Sequence, residues 1–291
     1  MMLLNLQFKL FISIPILLIF STFNLSPPVL SENRFSLSQK QIDLKNDGDF
    51  SQHFDKLGVE GSIIIYDSKL DQTFEHNSQR NITPFPVAST FKILNSLIAL
   101  ETAVIRDEIA VLTWDGVERS LPVWNRDLNL KEAFQISGVW FYQVLARRIG
   151  YNQMTSWIKK VDYGNNNTGN PEDIDQFWLN GKLQITPQQQ IQFLRRLHHN
   201  DLPFADRTIS IVKDIMINEK TPDYTIRSKT GWFGYGNPDI QNIGWYVGYV
   251  ETKNNVYFFA TNIDIKQEKD GIARLELTRL CLEDLGVFAF K

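Results

Sequence analysis

The nearly unbroken apolar run Ile243-Gly244-Trp245-Tyr246-Val247-Gly248-Tyr249-Val250 is the strongest constraint on what this chain folds into. A strand with one wet face alternates apolar and polar residues, whereas a run apolar throughout belongs inside a sheet. It therefore predicts a central strand over Ile243 to Glu251. Candidate neighbours are Tyr224 to Lys229 and Val256 to Asn262, both rich in aromatic and β-branched residues. Far upstream, Gly61-Ser62-Ile63-Ile64-Ile65-Tyr66 is followed by turn residues Asp67, Ser68 and Asp71 and the alternating Thr73-Phe74-Glu75-His76, which predicts a hairpin.

The residues between these strands carry helix signals. Ser89 to Ala103 lacks internal Gly and Pro, and Asn129 with Glu132 three residues on is a capping-box pattern. Val139 to Ile149 has helical spacing and ends at Gly150; Asn152 is placed to cap the next helix. Thr186-Pro187 opens another, to about Leu197. Further helices are expected over Asp206 to Ile217 and Ile272 to Leu285. The fold expected is α/β in the α+β sense: an antiparallel sheet built from both termini, flanked by helices, with an inserted all-helical lobe. The sheet lobe covers about 59–85 plus 220–291 and the helical lobe about 86–219, in a single catalytic domain over 32–291. Residues 32–58 form a polar lead-in with one short helix.

Residues Leu10 to Phe23 are mostly apolar, follow Lys9, and are interrupted by Pro15. The run is shorter than the ~20 residues that span a bilayer. With Val29 and Ser31 small enough for cleavage before Glu32, residues 1–31 are read as a signal peptide, the alternative being a retained anchor. The expected location is the periplasm or the exterior, with no stable membrane span after cleavage. Lys+Arg 30 against Asp+Glu 33 excludes the basic surplus of a nucleic-acid binder. Cys281 is the one cysteine, so neither an intrachain disulfide nor a multi-thiolate metal site is available. His53, His76, His198 and His199 form no H-E-x-x-H pattern, and no metal site is expected.

Three motifs bear chemistry. Ser89-Thr90-Phe91-Lys92 is an S-x-x-K tetrad, which on a helix sets the two side chains on one face. Ser156 with Lys159 and Ser210 with Lys213 share the spacing, but on helices where both residues are explained as solvated. The first differs in context: Ile93, Leu94, Leu97, Ile98, Ala99 and Leu100 follow it, and Lys92 is the only charge in that helix before Glu101. Burying a lysine is costly unless it is neutral or paired, so Lys92 is a candidate base for Ser89, with a snorkelling lysine as the alternative. Lys229-Thr230-Gly231 follows at a strand end, where a cation, a hydroxyl and a close-approach glycine suit an anionic ligand. Ser137-Gly138-Val139 precedes a helix; Ser137 is either a proton shuttle beside an apolar wall at Val139 or an ordinary N-cap.

The order S-x-x-K, serine motif, K-T-G is that of the serine β-lactamases and penicillin-binding proteins. With S-x-V in the middle, the chain resembles the class D (OXA-type) serine β-lactamases. Tyr163-Gly164-Asn165, Phe177-Trp178-Leu179, Gly244-Trp245-Tyr246-Val247-Gly248 and Arg274 match further segments of that family, over about Val59 to Phe288. A second Tyr-Gly-Asn at 235–237 is read as a loop coincidence.

The resemblance implies hydrolysis of β-lactams through an acyl-enzyme. Ser89 would be the nucleophile, and Lys92, carboxylated by carbon dioxide or bicarbonate, the general base, with no metal or organic cofactor. Val139, Trp178 and Leu179 would form the carbamate pocket. Ser137 and Lys229 would move a proton towards the lactam nitrogen. The backbone N–H groups of Ser89 and Trp232 would form the oxyanion hole, and Thr230, Gly231 and Arg274 would hold the substrate carboxylate. Penicillin-binding peptidases and β-lactam sensor domains share this logic but retain the acyl group. Substrate range, the role of Tyr163-Gly164-Asn165, and the choice between monomer and homodimer stay open.

Overall fold

The computed structural model describes residues 50–288. The expected signal peptide and most of the polar lead-in lie outside the described residues. Helix α1 (Ser51–Leu57) is the short helix expected in the lead-in. Six antiparallel strands follow: β1 (Gly61–Asp67), β2 (Gln72–His76), β3 (Ile217–Lys220), β4 (Tyr224–Phe233), β5 (Asn242–Thr252) and β6 (Val256–Ile265), in the spatial order β2-β1-β6-β5-β4-β3. The apolar run is central, as its composition requires, and Ile243 to Val250 are all buried. The N-terminal and C-terminal parts of the sheet join where β1 pairs with β6, Gly61 opposite Ile263.

Alternation along the strands divides the interior into two layers. On one face Ile64, Tyr66, Val247 and Phe258 pack with α2 (Lys92–Glu101), α3 (Leu130–Gln135), α4 (Val139–Ile149), α5 (Tyr151–Val161), α6 (Pro187–His198) and α7 (Asp206–Ile215). On the other, Ile63, Ile65 and Phe259 pack with α1 and with α8 (Asp270–Asp284) through Leu277, Cys281 and Leu282. Cys281 is a fully buried free thiol, the small apolar core residue its neighbourhood implies.

The capping box of α3 and the Thr186 N-cap of α6 form as their sequences predict, and at α6 Gln189 completes a capping box as well. Three local expectations differ. Asn152 caps nothing: α5 begins at Tyr151, directly after Gly150 with φ +80. Helix α7 stops at Ile215, because Glu219 and Lys220 pair with Ile226 and Thr225 and extend the sheet by an edge strand. Strand β4 does not end at Lys229. Thr230, Gly231, Trp232 and Phe233 continue to pair with Tyr246 to Ile243 of β5, so K-T-G lies within the strand.

Candidate active site

Ser89 sits on a single 3-10 turn, Ala88–Phe91, that leads into α2. Ala88 has φ +47, a left-handed conformation that costs a residue with a Cβ about 1 kcal/mol or more. Such a conformation persists where its surroundings over-determine it. Here Val87 N–H donates to Leu183 O (3.2 Å), Thr90 Oγ1 donates to Val87 O (2.7 Å), and Gln190 Nε2 from α6 donates to Thr90 Oγ1 (3.0 Å). The Trp245 indole N–H of β5 donates to Pro86 O (2.8 Å) and ties the approach to the sheet.

Lys92 is 0% exposed, and its Nζ donates to Ser89 Oγ at 2.7 Å. Burial, with the nearby Lys229 charge adding to it, holds this amine well below the usual lysine range. The snorkelling alternative is thereby removed. Trp178, also fully buried, packs on Phe91 at 5.5 Å, and its indole N–H has no partner. A buried donor left unpaired is uncommon and marks a place for an acceptor. A buried amine without a carboxylate and an idle indole donor in one apolar region fit the expected carbamate. The other S-x-x-K pairs differ: Ser156, Lys159 and Ser210 are exposed, and Lys213 donates to His198 O and Asn200 Oδ1.

Ser137 is not an N-cap; Gly138 occupies that position of α4. Instead Ser137, at φ +56, closes α3. Its N–H donates to Phe134 O and that of Gly138 to Ala133 O, the bond pair of a left-handed helix ending. Glycine is the ordinary residue there. Serine turns its hydroxyl to Lys229, whose Nζ donates to Ser137 Oγ at 2.5 Å. Ser137→Gly is therefore expected to stabilise the fold by about 1 kcal/mol while lowering turnover. Paired denaturant melts and steady-state assays check it; a loss of both stability and activity contradicts it.

Lys229 is buried, and burial first, then the Arg274 charge, brings its pKa down to about 7. Below that value both folded and unfolded chains hold the proton. Between about 7 and the ordinary lysine range near 10.4 only the unfolded chain does, so stability rises with pH across that window. In Lys229→Met this contribution vanishes. Urea melts at pH 7 and pH 9.5 should show the wild type gaining stability relative to the variant at the higher pH.

A cleft of about 410 Å³ brings together Ser89, Ser137, Val139, Leu179, Thr230, Gly231, Trp232 and Arg274. Gly231 sits close to its neighbours: a Cβ there would lie 3.2 Å from Thr90 Cγ2 and from Trp245 Cβ, tighter than ordinary contact. Arg274 is no surface residue. It is 8% exposed, Nε and Nη1 have no partner, and burial lowers its pKa to about 10. Lys92 and Trp178 lie behind the cleft rather than in its lining. Tyr163-Gly164-Asn165 also lies outside it. Asn165 bonds to Lys182 O and the Gln184 N–H, fastening a turn to residues 182–184. The cleft also gains Trp124, Asn237 and Ile240, which sequence reasoning did not assign, and Tyr235, for which the sequence left a substrate wall and simple packing open. The second Tyr-Gly-Asn is a turn, and two of its residues face the cleft.

A family model described as the penicillin binding protein transpeptidase domain matches residues 60–282. The chain is 43% identical to β-lactamase OXA-48 of Klebsiella pneumoniae over 217 residues, 74% of this chain and 80% of that one. The structure of the class D β-lactamase YbXI from Nostoc matches with a TM-score of 0.80 at 56% identity, covering 82% of this chain and 99% of that one. The C-terminal domain of the Bacillus licheniformis BlaR penicillin-receptor matches with a TM-score of 0.77 at 30% identity, covering 82% and 95%. Identity on this scale, over four-fifths or more of each relative, makes the chain a member of the class D β-lactamase family.

Proposed function

We propose that this protein hydrolyses the β-lactam ring of penicillin-type antibiotics through an acyl-enzyme on Ser89, and so confers resistance to them. The observation that carries the proposal is the Ser89 Oγ to Lys92 Nζ contact of 2.7 Å, with the amine buried and its pKa held well below the usual lysine range. A neutral amine is a base, and it is placed to take the proton as Ser89 Oγ bonds to the lactam carbonyl carbon. The N–H groups of Ser89 and Trp232 stabilise the oxyanion that forms. As the C–N bond breaks, the lactam nitrogen takes a proton from Ser137 Oγ, which Lys229 resupplies across their hydrogen bond. Thr230 Oγ1 and the unpaired guanidinium of Arg274 hold the substrate carboxylate. Water then cleaves the ester and frees Ser89.

Neutral lysine is also the form that reacts with carbon dioxide, and a carboxylated Lys92 supplies a general base for both acylation and deacylation. Trp178 would donate to it, with Val139 and Leu179 keeping water away. Residues 1–31 are carried into this proposal as an export leader, which sequencing of the mature N-terminus checks.

The BlaR likeness makes a long-lived adduct the rival outcome. Mass spectrometry after addition of benzylpenicillin decides. An adduct lost within minutes, with product formed, supports hydrolysis; one lasting hours on the bicarbonate-supplied protein makes this a sensor or peptidase.

A further inference from the structure

We infer that Asn242, which does not itself line the cleft, is the positioning residue that sets the shape of the cleft's outer wall and hence its selectivity among β-lactam side chains. This rests on the proposed hydrolysis at Ser89. The wall is loop 234–241, between β4 and β5, which presents Tyr235, Asn237 and Ile240. Tyr235 is 49% and Ile240 41% exposed, so core packing does little to hold them. A loop of this kind keeps one shape only where its backbone groups are tied.

Asn242, the first residue of β5, supplies those ties. Its Nδ2 donates to Asn237 O and Ile240 O, both at 2.9 Å, and its Oδ1 accepts from the Trp232 indole N–H at 2.8 Å. Both amide hydrogens and the carbonyl oxygen are thus committed. Gly234, at φ +81, lies so close that a Cβ would be 2.9 Å from the Asn242 amide carbon. The restraint passes onward through Trp232. Its ring lies 5.6 Å from the Arg274 guanidinium carbon, meets the Tyr235 ring edge-on at 5.0 Å, and leaves no room for a side chain at Gly271. The loop has two ties of its own, Asn237 N–H to Gly234 O (2.9 Å) and Asp239 N–H to Asn237 Oδ1 (3.0 Å), but Asn242 is the side chain that joins the loop to the Trp232 ring and, through it, to the packing of Arg274.

The test compares two substrates within one preparation: benzylpenicillin, with an aryl side chain, and 6-aminopenicillanic acid, with none. The ratio of their kcat/KM values does not depend on the fraction of folded enzyme, so partial misfolding cannot imitate the effect. Asn242→Leu removes all three bonds. Asn242→Asp keeps an acceptor for Trp232 but turns oxygen towards the Asn237 and Ile240 carbonyls. In both variants the ratio is expected to fall about fivefold, the scale of one lost aromatic contact. In Asn242→Asp the 6-aminopenicillanic acid value should stay within about twofold of wild type, since the Trp232 bond survives. A ratio unchanged in both variants, with both substrates declining together, overturns the inference and leaves Asn242 a purely structural residue. If wild type turns over neither substrate, the hydrolysis reading fails and this inference with it.

Discussion

Ser89→Ala should leave no covalent adduct with any penicillin and reduce kcat/KM by about 10^4-fold or more. Removing a nucleophile on this scale leaves only binding and oxyanion stabilisation, which account for a small residue of activity in serine hydrolases. The fold should survive the change. Ser89 is on a turn held by Val87, Thr90, Gln190 and Trp245, and the Ser89 hydroxyl is not one of those ties. Intact-mass spectra and a thermal melt together check this. An adduct of penicillin mass on Ser89→Ala would move the nucleophile elsewhere.

Lys92→Ala should be nearly as damaging, with a different signature. Without the base at 2.7 Å, acylation slows, and any adduct that forms should persist for hours, because the same position serves both half-reactions. Dependence on added bicarbonate should disappear with the amine. The wild type, degassed at mildly acid pH, should lose activity and regain it when bicarbonate returns. Wild-type activity indifferent to bicarbonate would refute the carboxylated lysine while leaving Ser89 as nucleophile. Stability should not fall in step with activity: burying this amine disfavours its charged form and is a cost to the fold, partly relieved by truncation, although the cavity left behind opposes the gain.

Much of this architecture was legible because the signals were local. The apolar run of β5, the capping box at Asn129, the N-cap at Thr186, and the apolar context of Lys92 each follow from residues adjacent in the chain. What was not legible depends on parts distant in sequence. Strand β4 runs on through Thr230 and Gly231 because β5 is there to pair with, and β3 forms because β4 offers an edge. Ser137 reads as an N-cap until the end of α3 is seen to require a left-handed residue at that point. Arg274 has the sequence surroundings of a surface helix residue. Only the tertiary fold sets it at 8% exposure beneath Trp232. Trp124 and Ile240 carry no motif at all, and enter the site because the cleft closes around them.

The loop between β4 and β5 has a consequence for how such an enzyme diversifies. The strands it joins are antiparallel neighbours, with Phe233 opposite Ile243 at its mouth. Adding or removing residues at the tip of a hairpin changes neither the register of the strands below nor, beyond a few tenths of a kcal/mol, the cost of closing the connection. A change in length at the tip of this hairpin is therefore expected to leave K-T-G in its register opposite Tyr246 and Trp245 while altering the outer wall of the cleft. The one restriction is that each rewritten version must again offer groups for residue 242 to fasten.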